Sequence, residues 1–185
     1  MIYIISQFIG FAAFFVSIFA YHKNYGLCIN PHYFYSSYLE LVITTSKFNI
    51  FYGKETWDIW RTFQEIESSI DESEFLYKYF DDIEKMLFDE KSYIKMRGFR
   101  IICKLSKWDK KNKINNIIDS LLQAFDDEKP TIVRLCLSSL INLLLYKIDL
   151  SEKVESKLKN MDLSKYKDSM KPLIQKDIDC ILKQL

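Results

Sequence analysis

Glycine and proline are scarce, with four Gly and three Pro in 185 residues. An all-β sandwich or barrel draws on such residues for a turn every 8–12 residues or so, which excludes that class. Histidine is scarcer still: His22 and His32 are the whole supply. The four cysteines, Cys28, Cys103, Cys136 and Cys180, lie 75, 33 and 44 residues apart and include no C-x-x-C pair. Structural zinc takes four N or S ligands that usually arrive in close pairs, so no metal site is expected. Cys103 and Cys136 sit in apolar helical stretches and read as small core side chains. The lack of a disulfide framework fits a reducing compartment for the main body. Charge of one sign is missing too, since 26 Lys and Arg face 25 Asp and Glu, and no bulk field draws the molecule onto nucleic acid or anionic lipid. There is no G-x-x-x-x-G-K-[ST] loop, no G-x-S-x-G elbow and no H-E-x-x-H helix. No catalytic residue, cofactor site or metal ligand is assigned, and the chain reads as a non-enzyme.

The chain does have one long uncharged run. Residues 2–21, IYIISQFIGFAAFFVSIFAY, carry no charge, and Lys23 is the first charged side chain. At about 1.5 Å per residue a helix of that length spans roughly 30 Å, the thickness of a bilayer core. A secretory signal has a positive n-region and a shorter apolar core, so a membrane anchor is the better reading. A buried core helix is the alternative that the same apolarity allows. Lys23 on the C-terminal flank favours a body on the cytoplasmic side. Residues 25–54 form an aromatic-rich connector or capping helix in which Glu40 and Lys47 interrupt any second span.

From residue 55 onward the 3.6-residue period of an amphipathic helix is plain. Trp60, Phe63, Ile66 and Ile70 mark one stripe, Leu76, Phe80, Ile83 and Leu87 a second, and Ile114, Ile118, Leu121 and Phe125 a third. Turn residues separate helices expected at 55–69, 74–88, 92–106, 113–127, 130–147, 151–161 and 165–184. Pro130 suits a first helical turn, and Ser151 and Ser164 are expected N-caps. Shifting the chain by 39 residues pairs Ile94 with Val133 and Ile101 with Leu140; a further 41 pairs Val133 with Ile174. A helix-pair period near 40 is the HEAT or armadillo signature. The expected fold is therefore all-α: a HEAT/armadillo-like α-solenoid of about three to four helix pairs over 55–185, preceded by an apolar N-terminal helix within residues 1–24.

Three segments, SYIKMRGFRIICKLSKWDKKNKI (92–114), DDEKPTIVR (126–134) and LSKYKDSMKPLIQKDI (163–178), occur in order. Through them the chain resembles a family of small bacterial HEAT-like proteins labelled SufBD, over roughly residues 55–185. The resemblance implies a helical-repeat fold. The label points to iron–sulfur cluster assembly, but cluster ligation needs grouped cysteine thiolates, which the spacing here does not supply. The apolar N-terminal segment is where the chain departs from that family.

Charge is uneven by segment. Residues 55–90 hold twelve acids and three bases, whereas residues 91–113 hold nine bases against Asp109 alone. Stacked helices would set these blocks side by side, so ion pairing between helices is one expectation. The other is an anion-binding strip, with Trp108 beside Lys107 and Lys110 placed to stack on a base. The candidate interaction surface is Lys95, Arg97, Arg100, Lys104, Trp108 and Arg134, with Arg134 expected to pair with Asp126 or Asp127. The function expected is a membrane-tethered, non-catalytic scaffold for an unidentified protein partner. Nucleic-acid binding, or an activity like that of DNA glycosylases built on HEAT-like repeats, is the alternative; the neutral body weighs against it.

Overall fold

In the computed structural model the described residues are 49–54 and 56–185. The chain divides at Leu41/Val42, and the description concerns the second unit, Val42–Leu185. The expected anchor at 2–21 and nearly all of the 25–54 connector lie outside the described residues. No helix among the described residues is long and apolar enough to cross a membrane.

The described residues are all-helical, with no strand among them. A short helix α1 (Asn49–Tyr52) leads to α2 (Trp57–Ser69), which opens on Thr56, an extended residue whose Oγ1 accepts from the Ile59 amide at 3.4 Å. Next come α3 (Phe80–Lys85), flanked by the 3-10 turns Phe75–Tyr79 and Met86–Phe88, and α4 (Ser92–Leu105). Then follow α5 (Lys113–Leu122) and α6 (Pro130–Tyr146), and finally α7 (Ser151–Lys159) and α8 (Lys171–Leu182). Pro130 opens α6, where its missing N–H leaves no bond unmade.

Alternate helices pack on each other: α4 lies against α6, α6 against α8, and α2 against α4. Their inward stripes make one core, including Phe63, Ile66, Phe99, Ile101, Val133, Leu140, Ile174 and Ile178. The turn before α4 and the turn before α6 share one chemistry. Asp89 Oδ1 accepts from the Lys91 amide and Asp127 Oδ1 from the Lys129 amide, both at 2.8 Å. Both turns read Asp-Glu-Lys, so this feature repeats at an interval of 38 residues, one less than the apolar pattern indicated.

Three expectations fail at the third pair. Ser151 does not cap α7, because its hydroxyl donates back to the Ile148 carbonyl at 2.6 Å. The last helix starts at Lys171 rather than 165, because the chain spends residues 161–170 in turns. There the Ser164 amide donates to Asp162 Oδ1 at 2.8 Å, so Asp162, not Ser164, supplies the acceptor. Tyr166 is buried in that segment, and its hydroxyl donates to the Asp127 carbonyl at 2.6 Å. That contact with the preceding hairpin overrides the local helical pattern.

Gly98 sits where α4 runs closest to the segment before it. A Cβ there would meet the Met86 Cβ at 2.8 Å and the Ile83 carbonyl oxygen at 3.3 Å. Alanine elsewhere in a helix gains about 1 kcal/mol over glycine, whereas overpacking a filled core costs about 1–3 kcal/mol. Gly98→Ala is therefore expected to lower the urea unfolding midpoint, by a net amount on the order of 1 kcal/mol; an unchanged or higher midpoint would show that this approach is not tight.

Candidate functional site

The basic block of 91–113 meets the acidic block of 55–90 directly. Arg100 makes a two-pronged pair with Glu67, Nε to Oε1 at 2.8 Å and Nη2 to Oε2 at 2.5 Å. One turn further on, Lys104 Nζ reaches both oxygens of Asp71 at 2.9 and 2.7 Å. Lys110 pairs with Glu74 at 3.4 Å and Lys113 with Asp81 at 2.5 Å. Arg100 and Glu67 are nearly enclosed, and the guanidinium lies over Trp60 and Phe63 at 5.2 and 5.4 Å.

The remaining proposed surface residues are placed individually. Arg97 is fully buried, which removes it from any surface. Its Nη1 donates at 2.9 Å to the carbonyls of both Phe51 and Gly53, a cation closing the C-terminal end of α1. The Trp108 indole N–H donates to the Ile70 carbonyl at 2.7 Å, and Lys107 Nζ to the Asp71 carbonyl at 2.6 Å. These two side chains thus cap the end of α2, and Trp108 is held by that bond rather than presented to a base. Arg134 pairs with Asp177 of α8, Nε to Oδ2 at 2.5 Å, and not with Asp126 or Asp127. Asp126 is taken instead by Lys157 at 2.7 Å. Lys95 lines a cleft of about 280 Å³ with Ser120, Gln123 and Asp127 over an apolar floor that includes Leu87 and Met96.

The sequence reading missed a buried ion pair. Asp109, in the turn between α4 and α5, is buried with Lys147 from the end of α6, and Lys147 Nζ lies 2.9 Å from Asp109 Oδ2. The Tyr77 hydroxyl donates to Asp109 Oδ1 at 2.6 Å, and the amides of Lys113 and Ile114 donate to the same carboxylate at 2.9 and 3.0 Å. Lys147 also donates to the Asp109 carbonyl at 3.2 Å and to Asn112 Oδ1 at 2.7 Å. Asn112 adopts a left-handed φ of 53°, tolerated best by Gly, Asn and Asp. The signal was available: Asp109 is the lone acid among nine bases, and Lys147 ends a long apolar run.

Burial pushes the Asp109 carboxyl up, but the donors from Tyr77, Lys147, Ile114 and Lys113 outweigh it and hold the group below its usual 3.8. Burial, and then the bond to Asp109, pushes the Tyr77 hydroxyl well above its ordinary value. The cluster is thus a charged carboxylate and a neutral phenol at neutral pH. Burial likewise pushes the Cys103 and Cys136 thiols up, so they pack as neutral apolar groups. Among the described residues no group of three or more His, Cys, Asp or Glu could hold a metal ion.

A second cleft, of about 450 Å³, runs between α6 and α8. Leu135, Leu137, Ile141 and Ile181 make it apolar, and the Arg134–Asp177 pair lies within it. Arg134 is thus the proposed surface residue that the structure places in a groove of this size. No protein-family model, curated protein or solved structure matches the chain.

Because the Asp109 value is depressed, its stabilising contribution is complete above about pH 4 and is lost as the pH falls through its folded value. The raised Tyr77 value contributes below about pH 10 and fades above it. Asp109→Asn leaves Lys147 buried without a counter-charge and is expected to cost about 3–5 kcal/mol. Lys147→Met is expected to cost less, since the carboxylate keeps three other donors. Urea unfolding of the two variants checks the order, and the reverse order would remove Asp109 from this central role.

Proposed function

We propose that the chain is a non-catalytic interaction module, a HEAT-like stack of helical hairpins that holds a protein partner in the groove between α6 and α8. The observation that carries this reading is the spacing of its cross-links. Side chains bridge hairpins at intervals of 33 (Glu67–Arg100), 38 (Ile70–Trp108, Asp109–Lys147), 34 (Asp119–Lys153), 39 (Asp127–Tyr166) and 43 residues (Arg134–Asp177). Successive units cross-linked at intervals of 33 to 43 residues fit the construction of a solenoid, whose extended helical face is its usual binding surface. The α6–α8 groove fits a partner's amphipathic helix, with an apolar floor for its anchors and an Arg–Asp pair to orient it. The runner-up, a nucleic-acid strip, loses support because Arg97, Arg100, Lys104 and Lys107 are already engaged within the protein. Residues 2–21, outside the described residues, would tether the module to the cytoplasmic face of a membrane.

Ser138 is exposed and borders the groove, so Ser138→Arg obstructs it without touching the core. In affinity capture from its host, the full chain should retrieve a defined partner, and Ser138→Arg together with Ile141→Arg should reduce recovery at least tenfold. Equal recovery by the variant, provided its circular dichroism is native, would move the binding site elsewhere. Retention of DNA or RNA with an affinity falling steeply in salt would instead restore the nucleic-acid reading.

A further inference from the structure

The end of α6 presents large apolar side chains with no role in the core. Leu145, Tyr146 and Ile148 are 69%, 52% and 81% exposed, and none of them lines either cleft. All three fall within four consecutive positions at the end of α6. Lys147, between them, points the other way, into the Asp109 cluster, and its bonds to the Asp109 carbonyl and Asn112 clamp this turn against the 107–112 turn. The exposed Lys110 and Lys111 belong to the 107–112 turn, which this clamp joins to the turn carrying the apolar tip. Lys110 faces Glu74 at 3.4 Å with both side chains well exposed, a pair that water and salt weaken readily. Of the four lysines in these two turns, Lys147 is buried against Asp109 and Lys107 donates to the Asp71 carbonyl, so Lys110 and Lys111 are the cations the tip can offer, with Asp149 the exposed acid.

We propose that this tip is a membrane-contact site, inserting Leu145, Tyr146 and Ile148 shallowly into an anionic lipid surface while Lys110 and Lys111 lie among the headgroups. Two features favour lipid over protein as the occupant. The apolar side chains stand out from a helix end instead of lining a concavity, whereas strong protein hot spots sit in desolvated pockets. Aliphatic and aromatic tips flanked by lysine suit the headgroup–acyl boundary, where apolar burial and attraction to anionic lipid act together. The balanced charge of the whole chain does not oppose this, because attraction to a lipid surface acts within about a Debye length of the contact. The site is separate from the α6–α8 groove, and its failure would leave the groove reading intact.

The test uses the full chain with Cys28 and Cys180 replaced by Ser and one new cysteine, from Ile148→Cys or, as a control on α8, Lys176→Cys, carrying an environment-sensitive dye. Vesicles are phosphatidylcholine alone or with about one-third phosphatidylserine, each containing a spin-labelled lipid as quencher. With anionic vesicles the dye at 148 should shift to the blue and be quenched severalfold, and the dye at 176 should not respond. Lys110→Glu with Lys111→Glu should reduce the quenching at least threefold, while far-UV circular dichroism shows the fold retained. This readout reports depth at position 148, so it holds whether or not residues 2–21 also bind the vesicles. An unresponsive dye at 148, or an equal response at 176, overturns the proposal. Protection of position 148 by self-association without lipid overturns it in favour of a second copy of the chain.

Discussion

One buried carboxylate ties together three successive parts of this structure. Asp109 accepts from Tyr77 in the segment before α3, from the first amides of α5, and from Lys147 at the end of α6. A charge away from water is tolerated only when paired and hydrogen-bonded, and Asp109 meets both conditions. The same contacts cap α5, whose own flanking residue, Asn112, makes no side-chain cap bond. The cluster therefore couples local helix termination to the packing of one hairpin on the next.

The division of charge along the chain has a related physical meaning. A strongly acidic stretch followed by a strongly basic one would be a liability if either were exposed alone. Folding sets them face to face, with Glu67, Asp71, Glu74 and Asp81 answering Arg100, Lys104, Lys110 and Lys113. The exposed pairs contribute only about 0–1 kcal/mol each, so apolar packing holds the helices together. The consequence of the pairing is functional: four of the nine cations in a block that looks like an anion-binding strip are answered by acids of its neighbour.

Much of the helical pattern was legible from spacing alone. The stripes through Phe63 and Ile66, Phe80 and Ile83, and Ile114 and Ile118 are buried as their period requires. The ion pairing between blocks was legible as one of two expectations. The fate of individual cations was not. Arg97 and Arg100 look alike in sequence, yet one closes the end of α1 and the other grips Glu67. Arg134 reaches α8 instead of the turn just before it, because its position on α6 faces α8 across their shared groove. Tyr166 defeated the pattern of the last helix, since a hydroxyl bond to a carbonyl 39 residues earlier is invisible to local periodicity.

Composition and periodicity by themselves determined that the described body is all-helical, because few turn residues and a sustained 3.6-residue apolar stripe leave no other way to bury the apolar side chains. They also determined that two oppositely charged blocks had to meet or be solvated. Only the tertiary structure decided which cations were consumed, that Asp109 and Lys147 share a buried site, that Gly98 sits where a side chain would collide, and that Leu145, Tyr146 and Ile148 stay outside. Those outcomes depend on contacts between residues 12 or more positions apart, set by the angle at which packed helices meet and beyond the reach of local periodicity.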